Sequence, residues 1–369
     1  MARIGIVIYS LAGAGAERVS VNLAHEFVAA GHAVDFVLAH GEGELIAEVP
    51  TAAEMQVAQT VGARGWRAAI RDYVQEQSPD VLLAMMEGAG VLSIQAAKGA
   101  VPVYVVSHIH FSRHCRHAPR WKERWLMPLA ARWYLPRAAG VIGVSRGVSE
   151  DIRQVAGVRL ERVHTIYNPI LTKDFYRKAA EPVDHPWFAP HRGWLTVVTA
   201  GRLTEQKDHD TLLRAIAYVN NQRPVRLMVL GQGERLEELQ ALADELGIGA
   251  MVKFAGFDAN PYRYIAASDV FALSSRWEGL PTVLIEALAG GAKVVSADCP
   301  SGPREVLDDG RFGELVPVGD SEVLAKGITR AYEREPTPTE LAHHLKQFES
   351  ASVARQYLGA MGLSEREAK

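Results

Sequence analysis

Short apolar runs alternate with longer helical patterns along almost the whole chain. Six runs in the first half predict β-strands: RIGIVIY, AVDFVLA, DVLLAMM, VPVYVVS, GVIGVS and RVHTIY. The second half repeats the plan with WLTVVTA, VRLMVLG, MVKFAG, DVFALSS, AKVVSA and GELVPV. Strands that alternate with helices are typical of parallel sheets with crossover helices. The sequence therefore predicts an α/β fold of two doubly wound, Rossmann-like halves in tandem.

A proline-rich segment separates the two series of strands. KDFYRKAAEPVDHPWFAPHRG contains three prolines and has no clear period, which is typical of an interdomain linker. We therefore predict an N-terminal domain over residues 1–172, a linker over 173–193 and a second domain over 194–347. Doubly wound sheets bind ligands at the carboxyl ends of their strands, so two facing halves imply a ligand-binding cleft.

Composition argues against several classes of protein. The formal net charge of −3 argues against a nucleic-acid-binding protein, because such proteins usually carry a basic excess. Cys115 and Cys299 lie far apart in sequence and predict neither a disulfide framework nor a metal-ligand cluster. The chain begins directly with a strand pattern, and no apolar run approaches the roughly 18 residues that span a bilayer. We expect a cytoplasmic protein, with contact to a membrane surface left open.

A glycine-containing turn follows the first predicted strand, in SLAGAGAERVSVNLAHEF. Gly13 and Gly15 let the backbone approach a ligand closely, and the following helix start presents free N–H groups to an anion. The spacing is not the full dinucleotide-binding fingerprint. On these residues alone, a phosphate-binding turn and a purely structural turn both stay open.

A loop with basic residues follows the first strand of the second half, in TAGRLTEQKDHDTLLRAI. Arg202 and Lys207 lie just before a predicted helix, where arginine can fork onto two phosphate oxygens and lysine acts as a point charge. The alternative is a solvated loop with ordinary surface charge. We interpret Asp208 and Asp210 as residues of the helix start, where carboxylates are common, rather than as metal ligands.

Two glutamates frame the start of the helix in EGLPTVLIEALAGG. Proline is tolerated at a first helical position, so the helix begins near Pro281 and Glu278 lies in the preceding loop. Glu286 lies inside the helix, and no basic residue between Gly279 and Ala292 can compensate its charge. The partner of Glu286 must come from elsewhere in the fold or from a ligand. Two carboxylates in one cleft suit a polyhydroxylated ligand.

Several motifs together carry a family resemblance. With EGLPTVLIEALAGGAKVVS, AGRLTEQKD, GAGAER, VSRGVSEDI and TIYNPI, nearly the whole chain resembles the retaining glycosyltransferases of family 4. DCPSGPREVL and GELVPVGD are similar to the branch that builds bacterial surface polysaccharides and glycans. The resemblance implies the GT-B fold, in which two Rossmann-like domains face each other across a cleft.

The resemblance implies roles for the basic loop and for both glutamates. Arg202 and Lys207 would hold the donor diphosphate and neutralise charge on the leaving group. Glu286 would bind the ribose hydroxyls of the nucleotide, so that the donor is its partner. Glu278 would lie beside the donor sugar. The arrangement requires neither a metal nor a further cofactor, because fixed cations replace the metal.

Backbone groups complete the implied donor site. The N–H groups of Gly279 and Leu280 would face the sugar or the phosphates. Gly15 would lie under the diphosphate from the opposite domain. Gly256 and Phe257, in FAGFDANPYRY, would pass beside the base.

Two histidines compete for one position near the sugar and the acceptor. His108 follows a predicted strand, where the family often has such a histidine, and His110 is its rival. A histidine at a strand end is more often a structural hydrogen-bonding residue. The sequence offers no enzymatic nucleophile, and the resemblance implies front-face retention, in which the leaving-group phosphate helps to deprotonate the acceptor.

A basic and aromatic stretch covers residues 112–139. SRHCRHAPRWKERWLMPLAARWYLPRAA contains one acidic residue, Glu123, among many cations and tryptophans. Three interpretations stay open: contact with an anionic membrane, binding of a diphosphate-linked acceptor, or a helix whose tryptophans belong to the core. Residues 348–369, with FESASVARQYLGAM, resemble the family's last helix, which crosses back to the first domain.

The sequence thus predicts a metal-independent retaining glycosyltransferase. Its donor would be a nucleotide diphosphate sugar, most simply a UDP-sugar carrying a hexose or an N-acetylhexosamine. Its acceptor would be a hydroxyl of a saccharide or of a lipid-linked saccharide. Two alternatives stay open: a nucleotide-sugar epimerase of the same architecture, and a nucleotide-sugar-binding protein without turnover that is the partner of an active transferase.

Overall fold

The computed structural model of the protein describes residues 1–13, 15–118, 120–190, 193–335 and 337–363, with only the backbone of Lys122 and Glu123. The chain divides into two compact units. The first unit contains Met1–Ile170 together with Gln347–Lys369, and the second contains Leu171–Lys346. Each unit is built on a parallel sheet, and the counts below refer to the described ranges.

The sheet of the first unit has seven parallel strands in the order β3-β2-β1-β4-β5-β6-β7. Their bounds are β1 Arg3–Ile8, β2 Ala33–Leu38, β3 Glu54–Val57, β4 Val81–Met85, β5 Val103–Ser107, β6 Gly140–Gly143 and β7 Val163–Thr165. The strand order reverses direction at β1, between β2 and β4. The polar residues that follow β4 and β5 therefore lie along one edge of the sheet.

The sheet of the second unit has six parallel strands in the order β10-β9-β8-β11-β12-β13. Their bounds are β8 Leu195–Ala200, β9 Val225–Leu230, β10 Val252–Gly256, β11 Val270–Leu273, β12 Lys293–Ala297 and β13 Glu314–Val316. The central strands are almost continuously apolar, as expected for a sheet that is buried on both faces. The loops after β8 and β11 leave neighbouring strands and so begin side by side.

Fifteen α-helices are present in the described ranges, and most of them connect successive strands. In chain order they are α1 Gly15–Ala29, α2 Ala63–Gln77, α3 Glu87–Ala97, α4 Phe111–His117, α5 Trp121–Tyr134, α6 Arg146–Ala156, α7 Lys173–Ala179, α8 His209–Asn220, α9 Leu236–Glu245, α10 Pro261–Ala266, α11 Thr282–Ala289, α12 Pro303–Val306, α13 Ser321–Glu333, α14 Pro338–Leu345 and α15 Ser350–Ala360. Within those ranges, no helix is long and apolar enough to cross a membrane.

The last helix belongs to the first unit, although it follows the second unit in sequence. Helix α15 packs against α1, and the Ser350 hydroxyl donates a hydrogen bond to Glu26 Oε1 at 2.5 Å. Tyr357 anchors the helix because its side chain is fully buried. Residues 364–369 of the predicted C-terminal segment lie outside the described residues. The acceptor and donor roles assigned to the two halves stay predictions.

The segment predicted as a linker over 173–193 differs from that expectation. Its described residues belong to the second unit and begin with helix α7, which Thr172 caps by accepting a hydrogen bond from the Phe175 backbone N–H at 3.0 Å. The Phe175 side chain is buried and meets the Tyr262 ring edge-on, with 5.1 Å between centroids. The whole segment was predicted to be a linker because it contains three prolines, but all three prolines lie after this short helix. Residues 191 and 192 lie outside the described residues.

Two further features were not expected. Strand β3 escaped prediction because EMQV is only four residues long, lies at the sheet edge and is largely exposed. In the basic and aromatic stretch, the interpretation that the tryptophans belong to the core is wrong. Trp121, Trp125 and Trp133 on helix α5 are all about two-thirds exposed.

Candidate functional site

An ion pair lies at the carboxyl ends of β8 and β11 in the second unit. Lys207 ends a short 3₁₀ helix, Glu205–Lys207, and its ammonium lies 2.7 Å from Glu278 Oε1. The Glu278 side chain is buried and that of Lys207 is mostly buried. Each charge partly compensates the desolvation of the other.

The two loops that carry the ion pair are held together by further polar contacts. The Gln206 side-chain amide donates to the Trp277 carbonyl oxygen at 2.8 Å, and the Arg276 backbone N–H donates to the Gln206 carbonyl oxygen at 2.8 Å. The Ser274 hydroxyl donates to the Lys207 carbonyl oxygen at 2.8 Å. These bonds fix the backbone on both sides of the pair.

The two aspartates at the start of α8 both form hydrogen bonds with other side chains of the protein. Asp208 adopts a left-handed backbone with φ 49° and is buried, and its carboxylate accepts from Arg276 at 3.1 Å and from the Thr211 hydroxyl at 2.9 Å. Asp210 accepts from Arg235 at 3.0 Å. Asp208 occupies the N-cap position of α8, as expected for a residue of the helix start, but its side chain forms no capping hydrogen bond. The described residues contain no cluster suited to a metal ion.

Helix α11 begins as the sequence predicts, directly after Pro281. Glu278 and Gly279 lie in the loop before it, and Glu286 lies within it with a side chain that is largely buried. Leu280 is buried as well. The loop after β12 approaches the helix start closely at Gly302, where a Cβ atom would lie 2.3 Å from Pro281 Cδ.

The remaining donor residues predicted in the second unit are solvent-exposed or at strand ends. Arg202 is exposed, and its guanidinium forms no hydrogen bond or ion pair with another residue that the structure describes. Gly256 ends β10 with φ 75°, and its carbonyl oxygen accepts from the Gly231 N–H at 2.7 Å. The next side chain, Phe257, is 66% exposed and therefore offers a ring face at the strand end.

In the first unit, the glycine turn and His108 lie after β1 and β5. Gly13 requires glycine because its φ is 102°, whereas a Cβ atom on Gly15 would meet no atom within 4 Å. His108 is half-buried, and its Nε2 is withdrawn from solvent without a partner among the described residues. Burial lowers the pKa of His108 to about 4, so the imidazole is neutral at pH 7.

The rival histidine is held by an aspartate. His110 Nδ1 lies 3.2 Å from Asp151 Oδ2, and the same oxygen accepts from the Ser112 backbone N–H at 2.9 Å. Burial alone would raise the pKa of Asp151, but the hydrogen bonds from His110 and Ser112 outweigh it and hold this pKa below its usual value. An ionised aspartate that accepts from Nδ1 fixes the ring orientation of the histidine.

A buried glutamate at the same sheet edge was missed by the sequence analysis. Glu87 begins α3 directly after β4, is 2% exposed, and accepts a hydrogen bond from the Ser107 hydroxyl. Burial raises the pKa of Glu87 to about 7 from its usual 4.5. The signal was present in AMMEGAG, where an acidic residue follows an apolar strand and precedes small residues.

Two family models match the chain, one in each half. The model described as Glycosyltransferase Family 4 matches residues 13–174. The model described as Glycosyl transferases group 1 matches residues 191–348 and so includes Arg202, Lys207 and both glutamates. The chain belongs to the family 4 glycosyltransferases.

Curated relatives of this family 4 chain are named as glycosyltransferases of bacterial glycans. A Campylobacter jejuni N-acetylgalactosamine-N,N'-diacetylbacillosaminyl-diphospho-undecaprenol 4-alpha-N-acetylgalactosaminyltransferase is 33% identical over 60% of both chains. A second Campylobacter jejuni enzyme, an alpha-1,4-N-acetyl-D-galactosaminyltransferase, is 26% identical over 97% of this chain and 98% of its own. The Rhizobium meliloti lipopolysaccharide core glycosyltransferase LpsE is 34% identical over 48% of this chain and 51% of its own length. The alignments thus span only 60% of the first of these relatives and 51% of the third.

Solved structures confirm that the family 4 chain has the GT-B fold. The lipopolysaccharide outer core galactosyltransferase WaaB superposes with a TM-score of 0.74 at 21% identity, over 98% of this chain and 99% of that one. Anabaena Alr3699/HepE, solved in complex with UDP and glucose, superposes with a TM-score of 0.72 at 23% identity, over 96% and 95%.

The predicted site residues of this family 4 glycosyltransferase are thus divided between its units. Lys207 and Glu278 touch each other, a contact that spacing in the sequence could not reveal. The other donor residues named from the sequence lie in the same unit, after strands, in the loop before α11 or on α11: Arg202, Gly256, Phe257, Gly279, Leu280 and Glu286. Gly15, His108 and His110 belong to the first unit.

Proposed function

We propose that the protein is a retaining, metal-independent glycosyltransferase. Its donor is a nucleotide diphosphate sugar, specifically a UDP-sugar. The sugar is transferred to a hydroxyl of a saccharide or lipid-linked saccharide. The observation that carries the proposal is the ion pair between Lys207 and Glu278. Its basic and acidic groups lie together at the carboxyl ends of neighbouring strands, where doubly wound sheets bind ligands.

The donor diphosphate is assigned to Lys207 and Arg202. The Lys207 ammonium has three N–H donors and gives one of them to Glu278, so the others can reach phosphate oxygens. Arg202 adds a guanidinium that can bind two oxygens at once. Fixed cations stabilise charge that develops on the departing diphosphate, and removal of one such donor typically costs about 10² to 10³ in rate.

The sugar and nucleoside are assigned to residues around α11 and β10. Glu278 lies beside the donor sugar, and the Gly279 and Leu280 backbone faces the sugar or phosphates. Glu286 binds the ribose hydroxyls. The exposed ring of Phe257, after Gly256, contacts the base.

For the first unit we keep the assignments that the family resemblance implies. Gly15 serves the donor diphosphate, and its open surroundings leave room for a close ligand. His108 lies beside the sugar and the acceptor as a neutral imidazole. Its rival His110 is held by Asp151, and this contact supports a structural role for His110.

In the proposed step, the acceptor hydroxyl oxygen bonds to the anomeric carbon while the bond from that carbon to the diphosphate oxygen breaks. The acceptor proton passes to an oxygen of the departing diphosphate on the same face of the sugar. Retention follows because bond formation and bond cleavage share that face. Glu278 and Lys207 act by orientation and by charge stabilisation, not as nucleophiles.

The substrate classes rest on the relatives. Two Campylobacter jejuni relatives are named for undecaprenol-linked acceptors and N-acetylgalactosamine transfer, and others are named for lipopolysaccharide. Anabaena Alr3699/HepE was solved with UDP-glucose. These names support a UDP-sugar and a lipid-linked or lipopolysaccharide acceptor. We place the reaction in the cytoplasm, at the inner face of the cell membrane.

The first experiment is thermal unfolding with UDP, GDP, dTDP, ADP and their common sugars, each with magnesium or with chelator. A ligand at 100 times its Kd stabilises a protein by about 2.7 kcal/mol, which shifts Tm by several degrees. We expect a shift with UDP and one UDP-sugar that chelator leaves unchanged. A shift that disappears in chelator would overturn the assignment of the diphosphate to Lys207 and Arg202.

Product analysis separates the two alternatives. A nucleotide-sugar epimerase would change the donor sugar without any acceptor. A non-catalytic binding partner would respond to the donor in unfolding experiments but would release no UDP with any acceptor. Transfer to an undecaprenyl-diphosphate saccharide, absent when the acceptor is omitted, is the expected result.

A further inference from the structure

One face of helix α5 carries a stripe of large apolar side chains in water. Trp121, Trp125 and Trp133 are 64%, 67% and 64% exposed, and Leu126 and Leu129 between them are 47% and 63% exposed. We call these five residues the outer face of α5. Large apolar side chains are normally scattered singly over a protein surface, so a contiguous group marks a contact site.

The opposite side of the same helix already has its partner. Met127 packs against the core of the first unit, and Ala131 is buried within that core. At 100° per residue, positions 127 and 131 point away from the sector that contains positions 121, 125, 129 and 133. The outer face of α5 is therefore a second apolar surface, separate from the one that holds the helix in the fold.

Positive charge surrounds the outer face of α5. Residues 112–139 contain seven arginines and lysines against the single acidic residue Glu123. Arg124 and Arg132 are exposed on the helix itself, and Arg137 lies over the Trp133 ring at 4.9 Å from its centroid. The combination of indole rings, leucines and arginines suits a partner whose outer layer is negatively charged and whose interior is apolar.

We propose that the outer face of α5 inserts into the headgroup layer of an anionic membrane, with the helix parallel to the surface. The stripe from Trp121 to Trp133 is about 18 Å long, which is too short to cross a bilayer but suits an interfacial helix. Tryptophan prefers the boundary between headgroups and acyl chains, and arginine binds anionic lipid phosphates. Charge complementarity selects a lipid surface over an apolar protein groove.

Membrane binding deepens the proposed function because a lipid-linked acceptor lies in the same surface, yet it does not depend on that function. Binding to vesicles is measured without donor or acceptor. Transfer to a water-soluble acceptor, which needs no membrane, tests the proposed function by itself. The two can therefore fail separately.

The test is sedimentation of the purified full-length protein with vesicles of phosphatidylcholine alone or with 30% phosphatidylglycerol, at low and high salt. We expect binding to the anionic vesicles that salt weakens. The triple variant Trp125→Gln, Leu129→Gln, Trp133→Gln should bind at least about tenfold more weakly, because its interfacial anchors are lost while glutamine keeps the helix. The pair Arg124→Gln, Arg132→Gln should lose about fivefold per arginine.

The matched control is a triple variant of exposed apolar residues elsewhere, Val61→Gln, Leu160→Gln and Tyr218→Gln, which should bind like the wild type. Thermal unfolding verifies that each variant is folded. If the triple variant is not folded, the double variant Arg124→Gln, Arg132→Gln replaces it in the test. Wild-type binding by the triple variant would overturn the proposal, as would equal binding to neutral vesicles. A solution dimer that the triple variant dissociates, without vesicle binding, would assign the outer face of α5 to a second copy of the chain instead.

Discussion

The strand ends of the two sheets differ in whether their buried ionisable side chains have ion-pair partners. In the second unit, each buried carboxylate has a cation beside it, Glu278 the mostly buried Lys207 and Asp208 the exposed Arg276. In the first unit, burial instead favours the uncharged forms of Glu87 and His108, which have no ion-pair partner in the structure as described. The same doubly wound plan can therefore present fixed charges at one sheet edge and neutral polar groups at another.

The comparison suggests different chemical uses. Paired charges keep a cation in place for an anionic ligand, because the Glu278 carboxylate holds the Lys207 ammonium at 2.7 Å. Neutral groups suit hydrogen bonding to hydroxyls, which carry no charge. The predictions below remove one member of each arrangement in turn.

The largest effect is expected when the ion pair of the second unit is broken. Lys207→Ala removes a cation from the developing charge on the diphosphate and should lower kcat by about 10² to 10³. Glu278→Ala should lower transfer comparably, because it removes a sugar contact and frees Lys207 from its fixed position. Initial rates of UDP release with saturating acceptor measure both.

The double variant of Lys207 and Glu278 sharpens this prediction. Residues that act as a unit are non-additive, so the double variant should be little worse than either single one. Lys326→Ala, on the exposed side of α13, is the matched control and should transfer at the wild-type rate. Wild-type rates in both single variants would contradict the site.

In the first unit, the expected effect is on stability and depends on pH. The folded-state pKa of Glu87 is about 7 and its usual value is 4.5. Below pH 4.5 both states hold the proton, and between pH 4.5 and 7 only the unfolded chain loses it, so stability falls as pH rises. Above pH 7 the full cost of about 3 kcal/mol is present. Glu87→Gln should therefore gain about 3 kcal/mol relative to wild type between pH 4 and pH 8.

Urea unfolding at several pH values measures this difference. Glu161→Gln, at an exposed carboxylate, is the control and should follow the wild-type curve within about 0.5 kcal/mol. If the stability of Glu87→Gln runs parallel to that of wild type across the whole pH range, burial does not raise the pKa of Glu87 and the prediction is wrong.

The contrast also explains how far the sequence could be interpreted. All twelve predicted strands are present, because apolar runs bounded by polar turns encode buried parallel strands directly. Pro281 marked the start of α11, which begins at the next residue, because proline is excluded from a helix interior but tolerated at its start. Lys207 and Glu278 could be named because they stand in motifs of a known family.

Features that depend on tertiary environment could not be predicted in this way. AMMEGAG places Glu87 after a strand, but its burial against Ser107 is visible only in the fold, and this burial is the largest cause of its raised pKa. For the tryptophans of α5 the sequence left three interpretations open, and only their exposure in the fold excludes the core. Which side of α5 meets the core is decided by packing of Met127 and Ala131, not by the stripe itself.

A smaller effect is expected at Asp151, a carboxylate of the first unit that contacts a histidine. Asp151→Ala removes the acceptor of the Ser112 backbone N–H and of His110, and should destabilise the protein by about 2 kcal/mol. Asp151→Asn keeps an acceptor oxygen and should cost less. Urea unfolding at pH 7 measures both, and Asp184→Ala, at an exposed carboxylate outside this cluster, is the control. Equal stability of all three variants would show that this pair is as unimportant as an exposed one.

The smallest effect on stability is expected at the exposed end of β10. Phe257 is 66% exposed, so Phe257→Ala should change the free energy of unfolding by less than about 0.5 kcal/mol. Its ring should nevertheless matter for the nucleotide, because stacking of a base on an aromatic ring contributes about 1 kcal/mol or more. Titration calorimetry with UDP should therefore show a Kd about fivefold or more above wild type, whereas the exposed control Tyr218→Ala should bind UDP normally. An unchanged Kd would show that the base does not contact Phe257. Donor binding in the second unit would then depend on the charges of Lys207 and Glu278 rather than on an exposed ring.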